Sequence, residues 1–235
     1  MNHKREDGQM ATTSKTMGEG TRKVLLIGLG GTGCAVVSAV KNRVGNRDRS
    51  IQFLGFDTDS NRELSGDLTV IRTAREASVT EMLMRMPNWR EWFPDSPLLL
   101  ERNMLKGAGQ VRALSRLAFK DLLLDNPNGI PELDKAIERL RSENGNANDG
   151  IKIMIVSTLA GGTGAGLFLQ MPLYLRQHIK QKFPKVPIMI RGLFALPDVF
   201  MGHTYNEVQR ESMYANAYAC LKELSAINNI CLSKD

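Results

Sequence analysis

The chain has 235 residues, of which 42% are hydrophobic and 24% charged, with a formal net charge of +6; that suffices for a proper core in one large domain of ordinary soluble composition. No apolar run approaches the ~18 residues a membrane helix needs, and the first twenty, MNHKREDGQMATTSKTMGEG, lack the apolar segment of a signal peptide. Residues 1–50 hold nine Lys/Arg against four Asp/Glu, so the excess charge sits in the tail and around KNRVGNRDR at 41–49. There is no basic stripe interleaved with aromatics, and nucleic acid is not an expected partner. Three cysteines, Cys34, Cys220 and Cys231, are odd in number and lack metal spacing, which suits a reducing cytoplasm.

Residues 1–20 read as a disordered tail. Lys23–Gly28 (KVLLIG) predicts a short strand ending in glycines, and Cys34–Val44 a helix whose last turn is basic, as its dipole favours. Ile51–Phe56 predicts a second strand, closed by Asp57-Thr58-Asp59. A brief strand is predicted at 67–72 and a helical stretch near 75–86. MPNWREWFPDSP follows at 86–97, with Trp89 and Trp92 as candidate core. Residues 107–125, GAGQVRALSRLAFKDLLLD, read as a glycine turn opening an amphipathic helix. Pro131 fits a first helical position, with ELDKAIERLRSE continuing that helix and ENGNANDG forming a loop.

Ile151–Ser157 is a continuous apolar run, the mark of a buried strand. It leads into a second glycine loop and a helix to about Lys182, inside which Pro172 predicts a kink or an early start. Pro187–Phe194 is a further strand and 195–205 a loop. Asn206–Ala226 is a long amphipathic helix, with Ile227–Leu232 beginning a last strand. Strands alternating with helices predict an α/β fold, a Rossmann-like, mainly parallel sheet with helices on both faces.

The first glycine loop, Gly28-Leu29-Gly30-Gly31-Thr32-Gly33, fits G-x-G-x-x-G between strand and helix, with Asp57 closing the next strand. Taken alone, this supports an NAD(P)- or FAD-binding oxidoreductase, in which glycines admit a pyrophosphate and the acid takes a ribose hydroxyl. The second loop, STLAGGTGAG at 157–166, has no place in that scheme. Consecutive glycines aim several backbone N–H groups at one anion, and Thr163 adds a hydroxyl donor. Two such loops at neighbouring strand ends can grip a chain of phosphates from both sides. The Walker signature G-x-x-x-x-G-K-S/T is absent.

GGTGAG resembles the tubulin/FtsZ signature GGGTGSG or GGGTGTG, with Ala160 in the first glycine position and Ala165 in the Ser/Thr position. The first loop resembles the glycine-rich first loop of FtsZ, Asp57-Thr58-Asp59 its NTD, and Gly107-Ala108-Gly109 its GAGG loop. All four occur in family order. GAGQVR, RLAF, the tryptophan segment and NAYACLKEL at 216–224 look more like the divergent bacterial tubulin-like proteins, and the resemblance runs from 23 to about 226.

The resemblance implies a tubulin/FtsZ-type domain over 21–235 that binds GTP or GDP with Mg2+ and acts as a nucleotide switch for head-to-tail self-assembly. Gly30, Gly31, Thr32 and Gly33 then contact the α/β-phosphates, and Gly161, Gly162, Thr163 and Gly164 close the other side. Ala108 and Gly109 meet the γ-phosphate, and Asp59, with Asp57 beside it, holds the magnesium through water. Glu207 and Arg210 are ribose candidates, although the family spaces that pair four apart and these are three apart; Glu207 reads equally as a solvated helix charge. The family's base-stacking helix and hydrolysis-triggering acids have no counterpart before CLSKD at 231–235, so the chain is expected to be truncated at its C-terminal side. GTP binding with little or no hydrolysis by this chain alone follows. A scaffold that keeps the fold without turnover fits the same residues. His178 and His203 have no evident partner in sequence, and the alternating Met82, Met84 and Met86 read as core filling.

Overall fold

The computed structural model describes residues 23–45, 48–59, 67–104, 107–142, 149–200, 202 and 205–232. The tail at 1–20, residues 143–148 of the predicted loop, His203 and the Cys231 side chain lie outside the described residues. Five strands, β1 (Lys23–Leu29), β2 (Ile51–Asp57), β3 (Val70–Arg72), β4 (Ile151–Thr158) and β5 (Ile188–Ala195), form one parallel sheet in the order β3-β2-β1-β4-β5. The helices are α1 (Gly30–Val44), α2 (Val79–Met84), α3 (Pro97–Leu100), α4 (Arg112–Asp125), α5 (Pro131–Ser142), α6 (Gly162–Leu167), α7 (Gln170–Lys182) and α8 (Glu207–Leu232).

The period-two side-chain pattern of the strands sends alternate residues to opposite faces. Leu25, Ile27 and Leu29 meet Phe119 of α4, Leu133 and Ile137 of α5, and Met171 and Leu175 of α7 in the main core. On the other face Leu26, Phe53 and Met154 pack on Cys34 and Val37 of α1. The expected α/β sheet with helices on both faces is therefore present. Each fully buried Leu or Ile here stabilises the fold by about 1.5–3 kcal/mol.

A second core joins Ala77, Val79, Met82, Met86, Phe93 and Met104 to Leu114 and Leu117 of α4. Trp89 and Trp92 pack half-buried against it, each with a ring edge on Phe93, whereas Met84 is exposed. Asp121 of α4 is buried and anchors this unit through Arg75 at 2.6 Å and Arg85 at 2.7 Å.

Several predicted boundaries move: α1 opens at Gly30 rather than Cys34, and β3 at Val70 rather than 67. The helix near 75–86 starts only at Val79, because the Ser78 side chain accepts from Glu81 N while the Glu81 side chain accepts from Ser78 N, a capping box. The helix after the second glycine loop breaks between α6 and α7; Pro172 has no N–H to continue the ladder and is accommodated in the first turn of α7, where none is needed. The strand predicted at 227–232 is instead the last part of α8, since no glycine or proline after Ala226 ends the helix.

Candidate functional site

Strand β1 lies between β2 and β4, so successive connections leave its two sides in opposite directions, and a crevice opens at the carboxyl ends of the strands. Gly30–Gly33 open α1 there, Asp57 ends β2 and Thr58 and Asp59 follow it, Leu159–Gly161 join β4 to α6, and Gly107–Gln110 precede α4. A cavity of about 270 Å³ is lined by Gly30, Gly31, Thr32, Asp57, Thr58, Asp59, Gly107, Ala108, Gly109, Gln110, Thr158, Gly161, Gly162, Thr163 and Gly164. Of the predicted residues, all but Gly33, Glu207 and Arg210 meet in this one wall.

The loops are packed on one another, which explains the glycines. A Cβ on Gly30, whose φ is +69°, would fall 3.2 Å from Gly164 N, so the two glycine loops touch directly. A Cβ on Gly162 would lie 2.9 Å from Val111 N and 3.0 Å from Gln110 Cα, and one on Gly107 (φ +71°) would lie 3.3 Å from the Asp59 backbone. Gly33 sits behind the wall, where a Cβ would collide with Val156 O at 2.3 Å. Gly164 is hemmed in the same way by Ser157 Oγ at 2.2 Å and Thr158 O at 2.5 Å. Gly161 differs: its backbone is extended (φ −85°, ψ 170°), and a Cβ there would meet only Thr158 Cγ2 at 3.8 Å.

Hydroxyls tie the ring together. Thr58 Oγ1 and Thr163 Oγ1 are 2.6 Å apart, Ala108 N donates to Thr58 Oγ1 at 3.1 Å, and Thr163 Oγ1 donates to Asp57 Oδ1 at 3.2 Å. Asp59 N also donates to Asp57 Oδ1, at 3.3 Å. Below the second loop, Ser115 Oγ donates to Gly162 O at 2.7 Å and Arg112 Nε to Ala165 O at 3.1 Å.

The lining holds two carboxylates and no Lys or Arg. The first backbone N–H groups of a helix have no intrahelical acceptor, and the α1 dipole adds partial positive charge, so the wall can receive an anion. Asp57 and Asp59 would repel that anion unless a cation lay between them. A magnesium ion that keeps several waters and bridges one or two carboxylates to phosphate fits this donor set. The volume suits a phosphate chain rather than a whole nucleotide. A larger cavity, about 520 Å³, lies at the opposite end of the sheet beside Lys41, Arg49 and Arg139. It has no such backbone cradle, and Lys41 and Arg139 stand near the C-terminal ends of α1 and α5, where the helix dipole favours cations.

Glu207 and Arg210 are exposed in the first turn of α8, outside the lining. Helix α8 reaches the site instead through Met213, which with Thr32, Gln110, Ala160 and Phe200 encloses a side pocket of about 70 Å³. Sequence reasoning did not single out Thr158 or Gln110 in the wall, nor the bridging role of Thr58. Thr58 lies inside Asp57-Thr58-Asp59 and Gln110 directly follows the third glycine loop, so adjacency was the available signal. His178 is buried in α7 against Asp134 (2.6 Å), far in the fold from the glycine loops, and is stacked on Tyr174. Among the described residues, no group of three or more His, Cys, Asp or Glu could hold a metal, and no helix is long and apolar enough to cross a membrane.

A family model described as tubulin like matches residues 25–233. No curated protein matches the chain significantly. Among solved structures, TubZ of Clostridium botulinum phage c-st is 14% identical, covering 86% of this chain and 48% of its own, with a TM-score of 0.45. CetZ2 of Haloferax volcanii, in a GTPγS-bound protofilament, is 13% identical over 84% of this chain and 56% of its own, with a TM-score of 0.42. TubZ of Bacillus thuringiensis serovar israelensis, in a GTPγS-form protofilament, is 17% identical over 88% and 42%, with a TM-score of 0.40. The chain thus spans about half the length of the solved structures it matches.

Proposed function

The chain belongs to the tubulin-like family, and from that premise we propose that it binds GTP or GDP with Mg2+ as a nucleotide switch for head-to-tail self-association. The observation that carries this reading is the closed ring of four loops at the carboxyl ends of β1, β2 and β4. Gly30–Thr32 and Gly161–Gly164 would hold the α/β-phosphates from two sides, and Gly109 would present its backbone N–H group to the terminal phosphate; Ala108 lines the same wall, but its own N–H is given to Thr58 Oγ1 at 3.1 Å. Gly33 supports them from behind by letting α1 approach β4. Asp59 would hold the magnesium, with Asp57 beside it adding negative charge, and the ion when bound supplies the charge that lets phosphate sit beside them.

No described residue in the lining is placed as a catalytic base. We infer that this chain alone turns over little GTP and that its use of nucleotide lies in ordering the Gly107–Gln110 loop. The oxidoreductase alternative is weakened by Asp57, which is 4% exposed and already accepts from Thr163 Oγ1, so it is not displayed to a ribose hydroxyl. The deciding experiment is to denature freshly purified protein, separate any released nucleotide by chromatography, and titrate the emptied protein with GTP, GDP and NADH. Guanine nucleotide binding that requires Mg2+ supports the proposal. NADH binding with no response to GTP refutes it.

A further inference from the structure

We propose that Asn216 of α8 is a positioning residue that clamps two phosphate-facing loops together and so couples the cavity to α8; this rests on the nucleotide-binding reading above. The Asn216 Nδ2 group donates to Gln110 O at 2.9 Å and to Ala160 O at 3.0 Å, residues 106 and 56 positions away in sequence. Both acceptors are carbonyls, so the amide has one satisfied orientation, with its nitrogen toward them. One acceptor belongs to the loop of Ala108 and Gly109, the other to the loop of Gly161–Gly164.

The clamp acts at a conformation that needs holding. Gln110 has φ +65°, a left-handed backbone uncommon for a residue with a side chain. Its carbonyl is the atom that Asn216 holds. One turn earlier on α8, Met213 closes the side pocket beside Thr32 and Gly161. One turn later, Cys220 Sγ lies 3.4 Å from Ala165 O, and two turns later Glu223 accepts from Arg116 at 2.7 Å and from Arg112 at 2.5 Å. Asn216 therefore stands on a helix braced on both α4 and α6. A ligand that changes the spacing of the two loops must work against that brace, and by linkage a change at α8 must alter ligand affinity.

Two variants of the full 235-residue chain test this: Asn216→Ala, which removes the donor, and Asn216→Asp, which keeps the shape and places an acceptor against two carbonyls. The first measurement is amide hydrogen exchange of the ligand-free protein. In both variants, exchange should rise about tenfold in the peptides holding Gln110 and Ala160 together, with β1 and β4 unchanged. The second is affinity for GTPγS, expected to fall about tenfold in Asn216→Ala and further in Asn216→Asp. A residue that merely fills space would be rescued by the isosteric Asp, and that result overturns the proposal. So does unaltered exchange in either loop. Raised exchange in both loops with unaltered GTPγS affinity refutes the coupling to ligand. Raised exchange in both variants, with a wild-type protein that binds no GTPγS, upholds the clamp and removes the nucleotide reading instead.

Discussion

Replacing Gly161 with alanine separates binding from folding, because it is the glycine of the second loop with room behind it. At φ −85° and ψ 170° the backbone is open to any L-residue, and the new methyl would meet only Thr158 Cγ2 at 3.8 Å. Stability should therefore be unchanged or raised by up to about 1 kcal/mol, through the smaller freedom of the unfolded chain. The methyl would, however, enter the cavity wall where a phosphate must approach the backbone. GTP affinity should fall at least about tenfold, or about 1.4 kcal/mol. Gly164→Ala is the contrast: its Cβ would lie 2.2 Å from Ser157 Oγ and 2.5 Å from the carbonyl of Thr158. Backbone must move to admit it, at about 1–3 kcal/mol, which lowers the melting temperature by roughly 3–10 °C. Thermal unfolding and titration with a fluorescent GTP analogue, run on both variants, give the two readouts. A Gly161→Ala protein that melts like the wild type and binds GTP equally well refutes the phosphate-loop reasoning.

Asp59→Ala should leave GTPγS binding indifferent to magnesium, checked by titration with the ion and with EDTA; retained magnesium dependence would move the metal role elsewhere. Asp121→Ala strips two half-exposed guanidinium groups of their buried partner and should cost about 1–3 kcal/mol in a urea melt. Gly129→Ala should cost more than about 2 kcal/mol, since φ is +107° and the added Cβ would fall 2.1 Å from His178 Cε1; an unchanged urea midpoint would contradict the packing described. Burial pushes the Glu223 carboxyl up, but its hydrogen bonds to Arg116 and Arg112 more than offset this and hold it below the usual range. Its folded value thus lies below the unfolded value of about 4.3. The stability it contributes is complete above that pH and is lost as pH falls through the folded value. Urea melts from about pH 6 to about pH 3 should show a shallower acid loss in Glu223→Gln than in the wild type.

Much of this fold could be read locally. Apolar runs at 23–28, 51–56 and 151–157 marked three adjacent parallel strands, because a strand buried on both faces has little room for polar residues. Pro172 announced the break between α6 and α7 for an equally local reason. The end of α8 is ambiguous in sequence because Ile227–Leu232 carries apolar residues that suit either period, and only the absence of a helix stop separates the two. The start of α2 is written locally in Ser78-Val79-Thr80-Glu81, whose first and last residues form the capping box.

The glycine loops, Asp57-Thr58-Asp59 and the α/β alternation were determined by the sequence itself, since each is written in contiguous residues whose backbone preferences act over a few positions. Which glycine faces the cavity and which supports it from behind was decided only by the tertiary structure. Gly161 and Gly164 are the same residue type in the same motif, yet one borders open space and the other the Thr158 carbonyl at the end of β4. The Asn216 contacts with Gln110 and Ala160 likewise join segments 106 and 56 residues apart. Nothing in a chain's local chemistry encodes such a meeting; it exists once burial of the sheet's two faces has brought the strand ends and α8 together.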